Sequence, residues 1–230
     1  MVHTYNRSRD AGDTAFAVRN EPRGGTPYHG LVRELLSRWT NETTAPVIGI
    51  TSAGHRSGVT TIAAHLGVCA AEISHRPALL IDCNANSSDL LAHFRTSVSC
   101  GVREVVAGDY ALDDCVYETC VPNLCILGPG NGTRGTANAN EAQGWLNLLR
   151  KASQKFGVVI LDLPPVAGLL SEVASLQGID RLLLVIEAER TRRQAVARTK
   201  SQLSRIGIEL SGIILNKRRK HIPGWIYRRI

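Results

Sequence analysis

Six short apolar runs divide the chain: residues 47–50, 78–82, 124–127, 158–161, 182–186 and 212–215. Each is continuous rather than alternating, the pattern of a strand covered on both faces. Between them lie stretches with helical spacing. The first of these, 60–68, carries Ile62, Ala63, Ala64, Leu66 and Val68. Further stretches at 141–154, 169–177 and 192–203 mix apolar and charged positions. Ahead of the first run, Leu31, Leu35 and Trp39 recur every four residues with Val32 and Leu36 beside them, which predicts an amphipathic helix over 27–39. Strand alternating with helix predicts an α/β fold: a doubly wound, mainly parallel sheet with helices on both faces.

The pattern sets the boundaries too. Residues 1–26 are polar and end in Pro22 and Gly24-Gly25, so they are expected to form a flexible leader. Residues 27–216 are expected to make one domain with an N-terminal helix, and 217–230 a tail that mixes basic with apolar and aromatic residues. No internal repeat is present. No run approaches the roughly 20 apolar residues of a membrane helix, and the N-terminus has no apolar signal-peptide core. The expected location is the cytoplasm, with peripheral attachment at the inner face of the plasma membrane.

The chemistry begins where the first strand ends. Residues 47–61 read Val-Ile-Gly-Ile-Thr-Ser-Ala-Gly-His-Arg-Ser-Gly-Val-Thr-Thr. A strand, a turn of small residues and a helix N-terminus together make an anion site, because the first helical N–H groups have no partner within the helix. A phosphate loop follows G-x-x-x-x-G-K-[ST], with the lysine on the β/γ-phosphates and the hydroxyl on Mg²⁺. Aligned to Ala53 through Thr60, this chain keeps Gly58 and Thr60 and puts Val59 in the lysine position. Gly54, Ser57, Gly58, Val59, Thr60 and Thr61 are therefore the candidate nucleotide-binding residues. Other strands also end in polar residues: Asp82, Asp162 and Asn216. Ligands of open α/β sheets bind beyond those ends, and a carboxylate facing a phosphate loop suits an intervening Mg²⁺.

Composition refines this only a little. The 230 residues carry a net charge of +7 and are 43% hydrophobic, with aromatics at 5%, which fits an aliphatic α/β core. The positive excess gathers at 190–205 and in the last residues. A solvated helix face accounts for the first cluster, and charge alone does not predict a nucleic-acid role. The tail (Ile222, Trp225, Ile226 and Tyr227 among arginines and lysines) suits either an anionic membrane surface or packing against the sheet. The six cysteines form no C-x-x-C pair; they are expected to be reduced and mostly buried, and they define no metal site.

With these motifs, residues 45–220 resemble the bacterial tyrosine kinases of capsule and exopolysaccharide assembly, within the P-loop NTPase class. Thr51-Ser52 with the loop and Thr60-Thr61 resembles the first nucleotide motif, residues 79–82 (Leu-Leu-Ile-Asp) the start of the second, and 159–165 (Val-Ile-Leu-Asp-Leu-Pro-Pro) the third. The blocks Gly101 to Gly108 and Asn123 to Gly130 favour this branch over the partitioning ATPases. The resemblance implies ATP and Mg²⁺ as cofactors. It implies that Thr60 holds Mg²⁺, Asp82 acts as base, Asp162 binds Mg²⁺ through water and Asn216 reads adenine. It also implies a membrane protein that regulates polysaccharide chain length as partner, and a homo-oligomer.

The chain departs from the family where the chemistry lies. His55, Arg56, Ser57, Gly58 and Val59 stand where the family has Pro-Gly-Glu-Gly-Lys, so Arg56 replaces a glycine. After Asp82 the second motif is lost, with Asn84 and Asn86 in its place. The C-terminal tyrosine cluster is reduced to Tyr227, the phosphoacceptor candidate. The expectation is a kinase-like regulatory subunit in which ATP binding and kinase activity are weakened or lost and Asp82 is a vestigial base. An active autokinase or ATPase, and a partitioning-type localisation ATPase, are the alternatives.

Overall fold

The computed structural model describes residues 27–37, 39, 43–84, 89–131, 139–169 and 177–217. All six apolar runs are strands, and a seventh precedes the third run. They are β1 (Val47–Ser52), β2 (Ala78–Asp82), β3 (Val116–Glu118), β4 (Leu124–Leu127), β5 (Val158–Asp162), β6 (Arg181–Glu187) and β7 (Leu210–Asn216). They form one sheet in the order β3-β4-β2-β5-β1-β6-β7. Every pairing is parallel except β3 with β4. The central strands β1, β2 and β5 are buried at every position, as their unbroken apolar runs require.

Helices cover both faces. On one side α1 (Pro27–Ser37) and α2 (Val59–Ile73), joined by α3 (Asp89–His93), bury Val32, Leu35, Ile62, Leu66 and Leu90 against Ile48, Leu80 and Ile160. On the other side α4 (Val102–Ala107), α5 (Leu112–Cys115), α6 (Ala139–Lys155) and α8 (Arg193–Arg205) pack on the alternate strand positions Leu79, Ile81, Val159 and Leu161. The intervening α7 is short, Val166–Leu169. In α8, Thr199 and Leu203 are buried while Arg193, Arg198, Lys200 and Arg205 are exposed. The first basic cluster is thus a solvated helix face.

Three features depart from the sequence expectations. The edge strand β3 has only three residues, too few for a recognisable pattern. The helix expected over 60–68 starts at Val59, and α1 ends at Ser37 rather than Trp39. The expectation that all cysteines are reduced is corrected at one pair, since Cys100 and Cys115 form a disulfide. Their Cα atoms are 5.2 Å apart, within the span a disulfide bridges. The turn before α4 and the end of α5 meet only in the folded chain, which cysteine spacing could not reveal. Cys69, Cys83, Cys120 and Cys125 are in no disulfide. The leader, the tail from 218 with Tyr227, Asn86 and most of the helix expected at 169–177 lie outside the described residues.

The two blocks that carried the branch resemblance touch each other. Gly101 sits where an added Cβ would lie 2.2 Å from the Gly128 carbonyl oxygen and 2.4 Å from the Gly130 nitrogen. The Glu104 carboxylate accepts from the backbone N–H of Gly101 and of Asn131, each at 2.8 Å. Gly108 ends α4 in the left-handed conformation, φ +86°, a conformation glycine adopts at little cost. The Gly-to-Gly spacing is therefore a helix clamped at both ends beside the exit of β4.

Candidate nucleotide site

The loop leaves β1 at the carboxyl edge of the sheet. Ser52 and Ser57 hydroxyls both donate to the Gly54 carbonyl, at 2.7 and 2.8 Å, and close the turn on itself. Gly58 caps α2 with φ +88°. A Cβ there would lie 2.4 Å from the Asn216 amide nitrogen, so glycine is needed for both conformation and space. The 15-residue α2 then presents the first N–H groups of Val59, Thr60 and Thr61 at the loop. This is the arrangement an anion site requires.

The cation corner lies beside it. Asp82 and Asp162 are paired in register across β2 and β5 and are 1% and 2% exposed. Burial pushes the Asp82 carboxyl up to about 8; the Asn84 N–H draws it down, and Asp162 and Asp89 raise it further. Burial likewise pushes Asp162 up to about 7, against a lowering hydrogen bond from the Thr60 hydroxyl. Asp82 Oδ1 accepts from the Asn84 N–H at 2.9 Å, while buried Oδ2 has no hydrogen-bond partner among the described residues. A buried carboxylate oxygen without a donor is expensive and suits a hard divalent cation. Thr60, Asp82 and Asp162 therefore fit Mg²⁺.

The phosphate-charge position is different. Val59 is partly buried and packs against the core cluster that contains Ile62 and Leu66. Its place in the loop is thus an apolar packing position. His55 and Arg56 are exposed, and Arg56 has φ +59°, the left-handed region where a glycine would carry less strain. Thr61 is exposed on the first turn of α2.

Asn216 reaches the loop from β7. Its side-chain amide donates to the Ser57 carbonyl at 2.9 Å and its Oδ1 accepts from the Lys217 N–H at 2.8 Å. The next residue, Lys217, is assigned by its sequence position to the basic tail and not to the site. The Lys217 ammonium donates to the Arg56 carbonyl at 2.5 Å and lies 3.6 Å from the Glu187 carboxylate. These contacts hold the loop against the end of β7 across more than 150 residues of sequence, which no local pattern could show. The Lys217 ammonium is thus engaged by a backbone carbonyl and a carboxylate.

The fold is that of the P-loop NTPases, though no protein-family model matches the chain. Its relatives are bacterial tyrosine kinases. The tyrosine-protein kinase CpsD of Streptococcus agalactiae is 28% identical over 173 residues, 74% of each chain. The kinase domain of the Escherichia coli tyrosine kinase ETK matches 90% of this chain and 87% of its own, with TM-score 0.69 and 20% identity. The septum site-determining protein MinD of Pyrococcus horikoshii, solved with Mg-ADP, matches 80% of this chain and 76% of its own, with TM-score 0.62 and 22% identity. No helix among the described residues is long and apolar enough to cross a membrane.

Proposed function

We propose that this chain is a tyrosine-kinase-like subunit of capsule or exopolysaccharide assembly in which ATP binding and phosphoryl transfer are weakened or lost, and which acts through docking rather than catalysis. One observation carries the reading: at the position of the phosphate-binding lysine, Val59 packs onto the core, while His55 and Arg56 stand exposed beside it. Losing a charge-assisted contact to phosphate costs about 1.5–3 kcal/mol, roughly 10- to 100-fold in affinity. Phosphoryl transfer depends on placing positive charge at the transferring group, so the rate falls further than the affinity. When bound, Mg²⁺ supplies part of that charge. Thr60, Asp82 and Asp162 would hold the ion, and Asn216 lies beside the loop where a base would sit.

The partner that fits this reading is the membrane protein that sets polysaccharide chain length, approached from the cytoplasmic side, with self-association of the chain as a second contact. The intact cation corner favours one alternative, an active autokinase that takes its phosphate charge from Mg²⁺ and Arg56. Incubating the purified chain with Mg·ATP and mapping phosphate by mass spectrometry separates the two. The regulatory reading expects no phosphotyrosine. Phosphate on Tyr227, lost in Asp82→Ala, would establish the autokinase instead.

A further inference from the structure

The contact between α1 and α2 holds three donors that the nucleotide site does not use. Cys69 and Glu72 are three residues apart on α2 and so share one helix face. His29, on the first turn of α1, lies over them. Its Nδ1 is 3.4 Å from the Cys69 sulfur and its Nε2 is 2.6 Å from a Glu72 carboxylate oxygen. Donor atoms of all three lie within 4.8 Å of one another. Cys69 is 5% exposed, whereas the Glu72 side chain is 47% exposed. One turn earlier on α2, His65 stacks against Tyr28 at 4.9 Å and holds this end of α1 in place.

We propose that His29, Cys69 and Glu72 form a binding site for a borderline-soft divalent cation, Zn²⁺ above all, that clips α1 to α2. The donor set carries the choice of metal, since thiolate and imidazole select zinc over magnesium or calcium. Two donors on a tetrahedral zinc sit roughly 3.5 Å apart, given bonds of about 2.3 Å to sulfur and 2.1 Å to nitrogen. The observed sulfur–nitrogen separation of 3.4 Å already has that value. The half-exposed Glu72 turns from the ring onto the ion as the third ligand, and water fills the fourth position on the same open side. Binding displaces the Cys69 thiol proton to solvent and leaves a thiolate on the metal.

The alternative is a metal-free relay in which Glu72 and His29 activate Cys69 as a reactive thiol. Burial argues against it, because reactive cysteines are partly exposed and Cys69 is covered by α1. The site does not depend on the nucleotide reading, and either can fail alone.

Cobalt titration of the full-length chain carrying C83S, C120S and C125S tests the proposal, with C69S added as the control. In the triple variant the expected result is a thiolate-to-cobalt charge-transfer band with tetrahedral d–d absorption, both removed by Zn²⁺ and both absent once C69S is added. His29→Gln and Glu72→Gln, at a half-buried and an exposed position, should each weaken Co²⁺ binding by more than the roughly 10- to 100-fold that loss of an outer-shell partner costs. In the unsubstituted chain Zn²⁺ should raise the melting temperature, and His29→Gln should remove the rise. A folded triple variant with no band, a band that survives C69S, or rapid alkylation of Cys69 with no metal-dependent change would overturn the proposal.

Discussion

Replacing Asp82 with Asn stabilises the ligand-free protein at pH 8–9, and the gain fades as the pH falls toward 4. The Asp82 carboxyl is held near 8 in the folded chain by burial, against an ordinary value near 3.8 that the unfolded chain keeps. Between those values the folded state binds more protons than the unfolded state, so stability falls as pH rises through the window. Above it the full penalty of an ionised buried carboxylate is present; below it both states are protonated and no penalty remains. Each unit of raised pKa corresponds to about 1.4 kcal/mol, which makes the expected gain on the order of a few kcal/mol. At roughly 2–4 °C per kcal/mol for a domain of this size, thermal melts at pH 5 and pH 9 resolve it. Millimolar Mg²⁺ should narrow the difference at pH 9 by stabilising only the unsubstituted chain. If Asp82→Asn destabilises equally at both pH values, Asp82 is a structural carboxylate and the cation corner is wrongly assigned.

Gly101→Ala should be among the most damaging single substitutions on the α4 side of the sheet. The backbone there is extended, φ −166°, so alanine is conformationally acceptable and the obstacle is contact alone. Its Cβ would meet backbone atoms of Gly128 and Gly130 rather than the end of a flexible side chain. The neighbouring segment cannot easily retreat, because Val102 N–H donates to the Gly128 carbonyl at 2.8 Å and Glu104 ties Gly101 to Asn131. Overpacking of this kind costs about 1–3 kcal/mol and occasionally more, and lost hydrogen bonds add to it. Gly108→Ala is the control: its φ is +86° but nothing lies within 4 Å of the new methyl, so about 1 kcal/mol is expected. Urea denaturation showing equal losses for the two would mean that the Gly101–Gly128 contact is not what fixes the block.

The core of the fold was legible because burial on both faces writes itself into the chain as continuous apolar runs. Val47–Ile50, Ala78–Ile81 and Val158–Leu161 are the central strands for that reason. Where burial is one-sided or the element is short, the signal fades. β3 has three residues at a sheet edge, and α4 and α5 have six and four. The candidate site was legible in its local parts: Gly58, Thr60 and the strand-end carboxylates. Arg56 stands where a family glycine would allow close backbone approach; its left-handed backbone was not foreseen from sequence. What sequence could not show were contacts closed by folding: Asn216 and Lys217 on the loop, the Cys100–Cys115 pair, and His29 over Cys69. Each joins residues from separate elements, with no spacing rule to announce it.

A loop that keeps its cradle and its cation corner but has lost the charge that grips phosphate should hold Mg·ATP only weakly. Calorimetric titration of the purified chain is expected to show no saturation at micromolar nucleotide, with any binding in the millimolar range. Tight micromolar binding that Thr60→Ala abolishes would mean that the loop grips phosphate without the lysine, and would overturn the regulatory reading in favour of the autokinase.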